Sequence, residues 1–158
     1  MKGVKNLMKK VKFLLMGILV VFCFTGCGGK KLVCSQSKTE DGMKQNVEVT
    51  INFDGEKASK VKMDMGFEAT TAEAKEQFNE SLDFLDEIFI DSFKNTPGIT
   101  ASSKTDKNKS KYSYTMEIDL KKISKDVADD LDMDEFTDAS ATYDSIKKSA
   151  EEEGFTCK

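Results

Sequence analysis

The chain has 158 residues, of which 39% are hydrophobic and 33% are charged. Its 24 basic residues are outnumbered by 28 acidic ones, for a net charge of −4, and it contains neither histidine nor tryptophan. An acidic chain is repelled by phosphate backbones, so nucleic-acid binding is excluded as a leading function. The absence of histidine removes the usual general base near neutral pH and a common metal ligand.

The first element in the chain is a short apolar segment that follows a lysine-rich start. The run from Phe13 to Phe24 is 12 residues long and leads into Thr25-Gly26-Cys27. A membrane-spanning helix needs about 20 apolar residues, so this run fits a secretory signal better. It resembles the lipobox of bacterial lipoproteins, although Phe24 stands where Leu is usual. We expect residues 1–26 to be a cleaved lipoprotein signal peptide and Cys27 to be lipidated, with an uncleaved membrane anchor as the alternative.

Cleavage would change both the charge and the set of cysteines. The remaining 132 residues hold 19 lysines against 28 acidic residues, a net charge of −9, which disfavours nucleic acid and anionic lipid headgroups. Cys23 would leave with the signal and Cys27 would carry lipid, which leaves Cys34 and Cys157. Two thiols in an exported domain predict one disulfide. A redox pair or two metal ligands are the alternatives, and the missing CxxC spacing and histidine disfavour both.

Three strands are predicted after a short linker at residues 27–30. Residues 31–36 read as strand-like, and Val47 to Phe53 and Val61 to Phe67 alternate apolar with polar residues, the period of a half-buried strand. Asp54-Gly55 between the last two runs is a strong turn signal. The pattern therefore predicts an antiparallel three-stranded meander.

A long amphipathic helix is predicted next. Thr70 followed three residues later by Glu73 has the spacing of a capping box. Apolar residues then recur every three or four positions until Pro97-Gly98, so we expect a helix of about six turns over residues 71–95. The apolar stripe consists of Ala74, Phe78, Leu82, Leu85, Phe89 and Phe93, widened by Phe84 and Ile88.

The remainder of the chain mixes strands and short helices. Residues 99–103 and the alternating run 112–120 are predicted strands on either side of a polar turn. Apolar residues four apart over 123–131, and again over 143–150 before Gly154, predict two short helices.

Together these elements predict an α+β fold. We expect an antiparallel sheet of about five strands, with the 71–95 helix and the shorter C-terminal helices packed on it, as one extracytoplasmic domain over residues 31–158. The tail at 155–157 is predicted to add as an edge strand that carries Cys157 back to Cys34. A disulfide closing so long a loop stabilises the fold by about 4–5 kcal/mol in the chain-entropy model.

One acidic stretch, residues 126–138, invites a metal-binding interpretation. Asp130-Leu131-Asp132-Met133-Asp134 begins like a calcium loop, but its sixth and twelfth positions hold Glu135 and Ala141, where glycine and glutamate are required. We expect a solvated acidic loop and no metal site, with weak divalent-ion binding as the alternative.

Tyr112, Tyr114 and Met116 share the apolar side of the strongest predicted strand. They could line a ligand groove completed by methionines and phenylalanines of facing elements. The same pattern is more typical of a core beneath a sheet, which we favour.

Nothing in the sequence marks a catalytic site. Motifs such as GxSxG, HExxH and GxxxxGK are absent. Among so many acidic residues, no carboxylate pair is singled out for glycoside hydrolysis. We therefore expect no catalytic residue, no cofactor and no enzymatic activity.

The arrangement resembles the YehR-like family of small bacterial lipoproteins. The resemblance rests on the Cys27 lipobox, Phe53-Asp54-Gly55-Glu56-Lys57, the helix start Thr71-Ala72-Glu73-Ala74-Lys75, and the ending from Ser149 to Phe155. Cys34 and Cys157 look like those of a related low-GC Gram-positive group. The resemblance implies an α+β domain, surface attachment and no established biochemical activity.

These observations predict a lipid-anchored lipoprotein on the outer face of the cell membrane of a Gram-positive bacterium. We expect a non-catalytic binding or interaction module whose partners are the membrane, through the N-terminal lipid, and an envelope protein or ligand that the sequence does not identify. The alternatives are a solute-binding lipoprotein, for which the chain is short, and an accessory to an envelope hydrolase.

Overall fold

The computed structural model describes residues 29–131, 133, 136 and 141–158, so Cys27 and the predicted signal peptide lie outside the described residues. Within that part of the chain there are six strands and three α-helices. The strands are β1 (Lys31–Glu40), β2 (Met43–Asp54), β3 (Lys57–Ala69), β4 (Ile99–Thr105), β5 (Lys111–Asp119) and β6 (Thr156–Cys157). The helices are α1 (Ala72–Phe89), α2 (Lys125–Asp130) and α3 (Tyr143–Glu152), with a 3₁₀ turn at Asp91–Phe93.

All six strands form a single antiparallel sheet in the order β4-β5-β3-β2-β1-β6. The predicted α+β class and antiparallel sheet are therefore confirmed. The sheet has six strands where about five were expected, because the two short segments β4 and β6 both pair at its edges. The long central strands β2 and β3 have 12 and 13 residues, so the sheet is about 40 Å long in the strand direction.

A tight turn joins β1 to β2 at Asp41-Gly42. Both residues have positive φ, 49° and 74°, as a two-residue type I′ hairpin requires, and glycine adopts this conformation without strain. The same turn fixes the start of α1, because the backbone N–H and the hydroxyl of Thr70 both donate to the carbonyl oxygen of Gly42, each at 2.7 Å. The first hairpin therefore positions the long helix.

The N-terminus of α1 differs from the prediction by one residue. Thr71, not Thr70, is the N-cap, and its hydroxyl accepts a hydrogen bond from the N–H of Ala74 at 3.2 Å. Glu73 is thus the second helical residue, so the predicted capping box with Thr70 does not form, because Thr70 is bound to Gly42 instead. Glu73 still stabilises the positive end of the helix dipole.

The C-terminus of α1 also differs from the predicted 71–95 span. The α-helix ends at Phe89 and a 3₁₀ turn follows, after which Asn95 adopts a left-handed φ of 69° that reverses the chain toward β4. The buried residues of α1 are Ala74, Phe78, Leu82 and Phe89, whereas Phe84, expected to widen the stripe, is 51% exposed.

The core lies between α1 and one face of the sheet. The ring of Phe89 packs on Tyr114 with 4.8 Å between the centroids, and the centroid of the Phe67 ring lies 6.4 Å from that of Phe89. Each large side chain buried in this way contributes about 1.5–3 kcal/mol relative to an exposed one. The sheet supplies most of the core: Leu32, Cys34, Val47, Ile51, Phe53, Val61, Met65, Tyr112, Tyr114, Met116 and Ile118.

The two predicted C-terminal helices are present as α2 and α3. Thr142 caps α3 in a capping box with Ser145, and Gly154 follows the helix with φ of 89°, as the glycine signal predicted. In the described part of the chain, no helix combines the length and the apolar character needed to cross a bilayer.

The C-terminal tail forms β6 against β1. Val33 and Lys158 exchange both backbone hydrogen bonds, at 3.0 and 2.9 Å, so the adjacent residues Cys34 and Cys157 face each other as a closely spaced pair. Their Cα atoms are 4.1 Å apart and their sulfurs lie at disulfide distance, 2.00 Å. The bridge joins the two ends of the domain, as the sequence predicted.

Candidate functional site

The predicted groove residues Tyr112, Tyr114 and Met116 belong to the core. They are 1%, 1% and 6% exposed and lie beneath α1 on the apolar face of the sheet. This is the arrangement that the sequence favoured over a ligand groove. Burial raises the pKa of both tyrosines well above its usual range, so they are neutral phenols at physiological pH.

The two tyrosine hydroxyls have different environments. The hydroxyl of Tyr112 donates to the Asp86 carboxylate of α1 at 2.9 Å, and the same oxygen accepts from Ser103 at 2.6 Å. The hydroxyl of Tyr114 is buried and has no hydrogen-bond partner among the described residues. Tyr112 therefore ties β5 to α1, while Tyr114 contributes through its ring alone.

Other predicted site residues lie wholly or partly outside the described chain. Cys27 is one of them, and residues 126–138 are described only in part. Among the described residues, no group of three or more potential ligands is arranged to hold a metal ion.

The opposite face of the sheet is polar, and we call it the open face. The buried residues of α1, α2 and α3 all belong to the core on the other side, so no described helix covers it. Its residues are Lys31, Val33 and Ser35 on β1; Asn46, Glu48, Thr50 and Asn52 on β2; Lys60, Lys62, Asp64, Gly66 and Glu68 on β3; Thr100, Ser102 and Lys104 on β4; and Lys111, Ser113, Thr115, Glu117 and Asp119 on β5.

Carboxylates surround a single lysine near the centre of the open face. Lys62 Nζ contacts Asp64 Oδ2 at 2.7 Å, and the hydroxyl of Thr115 donates to the other Asp64 oxygen at 2.7 Å. The hydrogen bond to Asp64 raises the pKa of Lys62 above its ordinary value, with further contributions from the charges of Glu117 and Glu48. These four side chains, three carboxylates and one ammonium, carry a net negative charge, with further lysines, among them Lys60, at the margin of the cluster.

The strand register creates an unfavourable pair at that centre. Glu48 on β2 stands directly opposite Asp64 on β3. Like charges at directly opposed positions destabilise a sheet. Elsewhere on the face, opposite charges meet: Glu68 faces Lys111 at 2.8 Å, and Lys62 faces Glu117. The opposition of Glu48 and Asp64 therefore differs from the pairing of opposite charges that would stabilise the sheet.

Two shallow cavities mark the open face. The larger, about 540 Å³, is lined mainly by polar and charged residues and is open to solvent. Its lining contains four lysines and four acidic residues, among them Lys62, Glu48, Asp64 and Glu117. The smaller, about 350 Å³, lies where Gly66 has no side chain, between Asn46 and Ser113. Small-molecule sites are usually enclosed and mostly apolar, so the larger depression, which is open and mainly polar, fits a macromolecular contact better.

Sequence reasoning singled out none of these open-face residues. The alternation pattern already showed that Glu48, Lys62 and Asp64 point away from the core. Which of them meet across the strands depends on register, and only the paired structure fixes that. Spacing from the Asp54-Gly55 turn does not reveal the pair, because Glu48 lies six residues before Asp54, Asp64 lies nine residues after Gly55, and the register shifts between Asn52 and Phe53.

Two solved structures share this fold. The NMR structure of a protein from Streptococcus pneumoniae TIGR4 aligns with 91% of this chain and 94% of its own, at 12% identity and a TM-score of 0.54. The NMR structure of the E. coli YehR protein aligns with 82% of this chain and 92% of its own, at 17% identity and a TM-score of 0.55. These likenesses confirm the predicted resemblance to YehR at the level of the fold, and neither structure is named for an enzymatic activity. No protein-family model and no curated protein matches the chain.

Proposed function

We propose that the chain is a lipid-anchored extracytoplasmic protein of the bacterial cell envelope that acts by binding, without catalysis, through its open face. The opposition of Glu48 and Asp64 carries the proposal. Natural sequences depart from locally favourable patterns mainly where function requires it. A like-charge pair at the centre of a face that no described helix covers is such a departure.

The anchoring part of the proposal rests on the N-terminal segment and the disulfide. The apolar run before Cys27 has the length of a signal and ends in a lipobox-like sequence. Transfer of a diacylglycerol to that cysteine would supply the two acyl chains that stable anchoring requires. The Cys34–Cys157 pair suits an exported protein, because disulfides persist in oxidising compartments.

The chemistry of the open face suggests the type of partner. None of its residues is aromatic, so it lacks the stacking surfaces typical of apolar or planar ligands. Its centre presents Glu48, Asp64 and Glu117 around Lys62. The partner that fits is an envelope protein whose basic side chains enter between these carboxylates.

The anchor is tested with the full chain expressed in a Gram-positive host. We expect mass spectrometry of the membrane fraction to find a diacylglyceryl group on Cys27 and no trace of residues 1–26. The Cys27→Ser variant should carry no acyl mass and accumulate as unprocessed precursor. An unmodified Cys27 in membrane-bound protein would contradict the proposal and favour an uncleaved anchor.

The binding surface is tested by chemical crosslinking on intact cells with two matched variants. Glu117→Lys places a reversed charge on the open face, and Glu80→Lys makes the same change on the exposed side of α1. We expect a defined crosslinked partner with the wild type and with Glu80→Lys, and its loss with Glu117→Lys. Equal crosslinking by both variants would exclude the open face as the binding surface.

A further inference from the structure

One end of the sheet gathers the strand termini nearest to the proposed lipid. The N–H of Phe53 donates to the carbonyl oxygen of Lys30 at 2.9 Å, and the N–H of Leu120 donates to that of Ser59 at 3.0 Å. The start of β1, the β2–β3 turn and the end of β5 therefore lie together. We call residues 29–31, 54–57, 60 and 119–122 the anchor end.

The anchor end is basic, although the chain as a whole is acidic. It holds six lysines against three acidic residues, for a net charge of +3, whereas residues 27–158 carry −9. Two of its acids are already paired, Asp54 with Lys121 at 2.6 Å and Asp119 with Lys122 at 3.1 Å. All six lysines are exposed: Lys30, Lys31, Lys57, Lys60, Lys121 and Lys122.

The acidic residues are concentrated in other parts of the sequence. Segments 71–97 and 126–158, which contain α1 and α3, hold 18 acidic residues against five lysines. The overall charge therefore gives a poor description of the surface at the anchor end. Repulsion by an anionic surface, expected from the net charge, applies to the helical side of the domain and not to this end.

The tether is too short to keep the anchor end away from the bilayer. Only three residues separate Cys27 from Lys31, the first residue of β1. Four residue steps of extended chain span at most about 14 Å. The opposite end of the sheet, with the Asp41-Gly42 turn and the loop 106–110, is about 40 Å away, far beyond the roughly 8 Å Debye length at physiological salt.

We propose that the anchor end is a second membrane contact, at which its lysines bind the anionic headgroups of the bilayer that holds the lipid. This inference rests on the proposed lipid anchor at Cys27. The contact directs the anchor end to the membrane and turns the acidic helical side away from it. The open face then stands at an angle to the bilayer, accessible to an envelope partner.

The test uses the lipidated, processed protein in vesicles of phosphatidylcholine, either alone or with roughly one third phosphatidylglycerol. Exposed lysines are acetylated with a water-soluble reagent, and the rate at each lysine is read by mass spectrometry. We expect Lys57 and Lys121 to react at least about threefold more slowly in the anionic vesicles, and to regain their rate at about 1 M salt. Lys107 and Lys109, at the opposite end, should react equally in both.

Two charge-reversal variants sharpen the test. Lys31→Glu with Lys57→Glu should abolish the protection of Lys121, while Lys104→Glu with Lys107→Glu, which changes the net charge equally, should preserve it. Equal rates in both vesicle types, or protection of the opposite end, would overturn the membrane contact while leaving the anchor intact. If the protein does not bind vesicles of either type, the proposed anchor itself is contradicted.

Discussion

Glu48 and Asp64 stand directly opposite each other on β2 and β3, on the face of the sheet that no described helix covers. Lys62 contacts Asp64 at 2.7 Å, so one ammonium partly offsets two facing carboxylates. At this position the charge pattern that favours sheet stability differs from the one that favours binding. Stability favours opposite charges across strands, whereas a binding surface needs unmatched charge that a partner can neutralise.

We predict that Glu48→Gln stabilises the protein. Removing one of two opposed carboxylates should raise the free energy of unfolding by about 0.5 kcal/mol, the usual size of a cross-strand charge effect. Glu68→Gln is the matched control, because Glu68 faces Lys111 across β3 and β5 and should lower stability when neutralised. Urea denaturation at low ionic strength measures both. Destabilisation by Glu48→Gln would mean that the attraction between Glu48 and Lys62 outweighs the repulsion between Glu48 and Asp64, and that the like-charge argument fails.

A second prediction concerns the bridge between Cys34 and Cys157. Replacing both cysteines by serine should lower the free energy of unfolding by about 2–5 kcal/mol, because the unfolded chain regains the freedom of a loop of 123 residues. Denaturant titration with and without reductant checks this. The wild type should shift on reduction and the double variant should not. A wild type that is equally stable in reductant would show that the bridge contributes nothing.

A third prediction contrasts two buried tyrosines of the same strand. Tyr112→Phe removes the hydrogen bond to Asp86 and should lower the free energy of unfolding by about 1 kcal/mol. Tyr114→Phe removes a buried hydroxyl that has no partner among the described residues, and should leave stability unchanged or raise it by up to about 1 kcal/mol. Thermal or urea unfolding distinguishes the two. A clear loss of stability with Tyr114→Phe would reveal a bound water or another partner at that hydroxyl.

The sequence predicted the burial of these two tyrosines but not the hydrogen-bond partner of Tyr112. The alternating pattern correctly predicted that Tyr112, Tyr114 and Met116 share one face of the sheet, and the apolar stripe of α1 predicted the surface that packs on that face. Both patterns are visible in the sequence because periodicity follows from local backbone geometry. Periodicity could not show that Asp86 would meet Tyr112, since that contact joins elements 26 residues apart. The same limit applies to Glu48 and Asp64, whose opposition depends on register.

Local signals were least reliable where a distant contact competed with them. Thr70 and Glu73 have the spacing of a capping box, but the hydroxyl of Thr70 donates to Gly42 of the first hairpin. Thr71 is therefore the N-cap residue of α1. Nothing between residues 70 and 73 indicates that interaction. The disulfide was predictable for a different reason, because counting cysteines does not depend on packing.

The final prediction concerns acid. Asp106 accepts hydrogen bonds from the backbone N–H groups of Lys111, Ser110 and Asn108, at 2.7, 2.6 and 3.1 Å. These bonds, that from Lys111 foremost, hold the pKa of Asp106 below its ordinary value of 3.8. Because the folded-state pKa is the lower one, the stabilisation by Asp106 is complete above the unfolded value and is lost as the pH falls through the folded one.

Asp106→Asn should therefore be less stable than the wild type at pH 7, and the difference should vanish once the pH lies below both pKa values of Asp106. Urea midpoints of the two proteins across the acid range provide the measurement. Asp41→Asn is the control, since Asp41 also lies in a hairpin turn and its left-handed φ of 49° suits asparagine. Asp41→Asn should change the free energy of unfolding little, both at pH 7 and at a pH below both pKa values of Asp106. A constant difference between Asp106→Asn and the wild type across the whole range would show that the loop depends on the shape of the side chain and not on its charge.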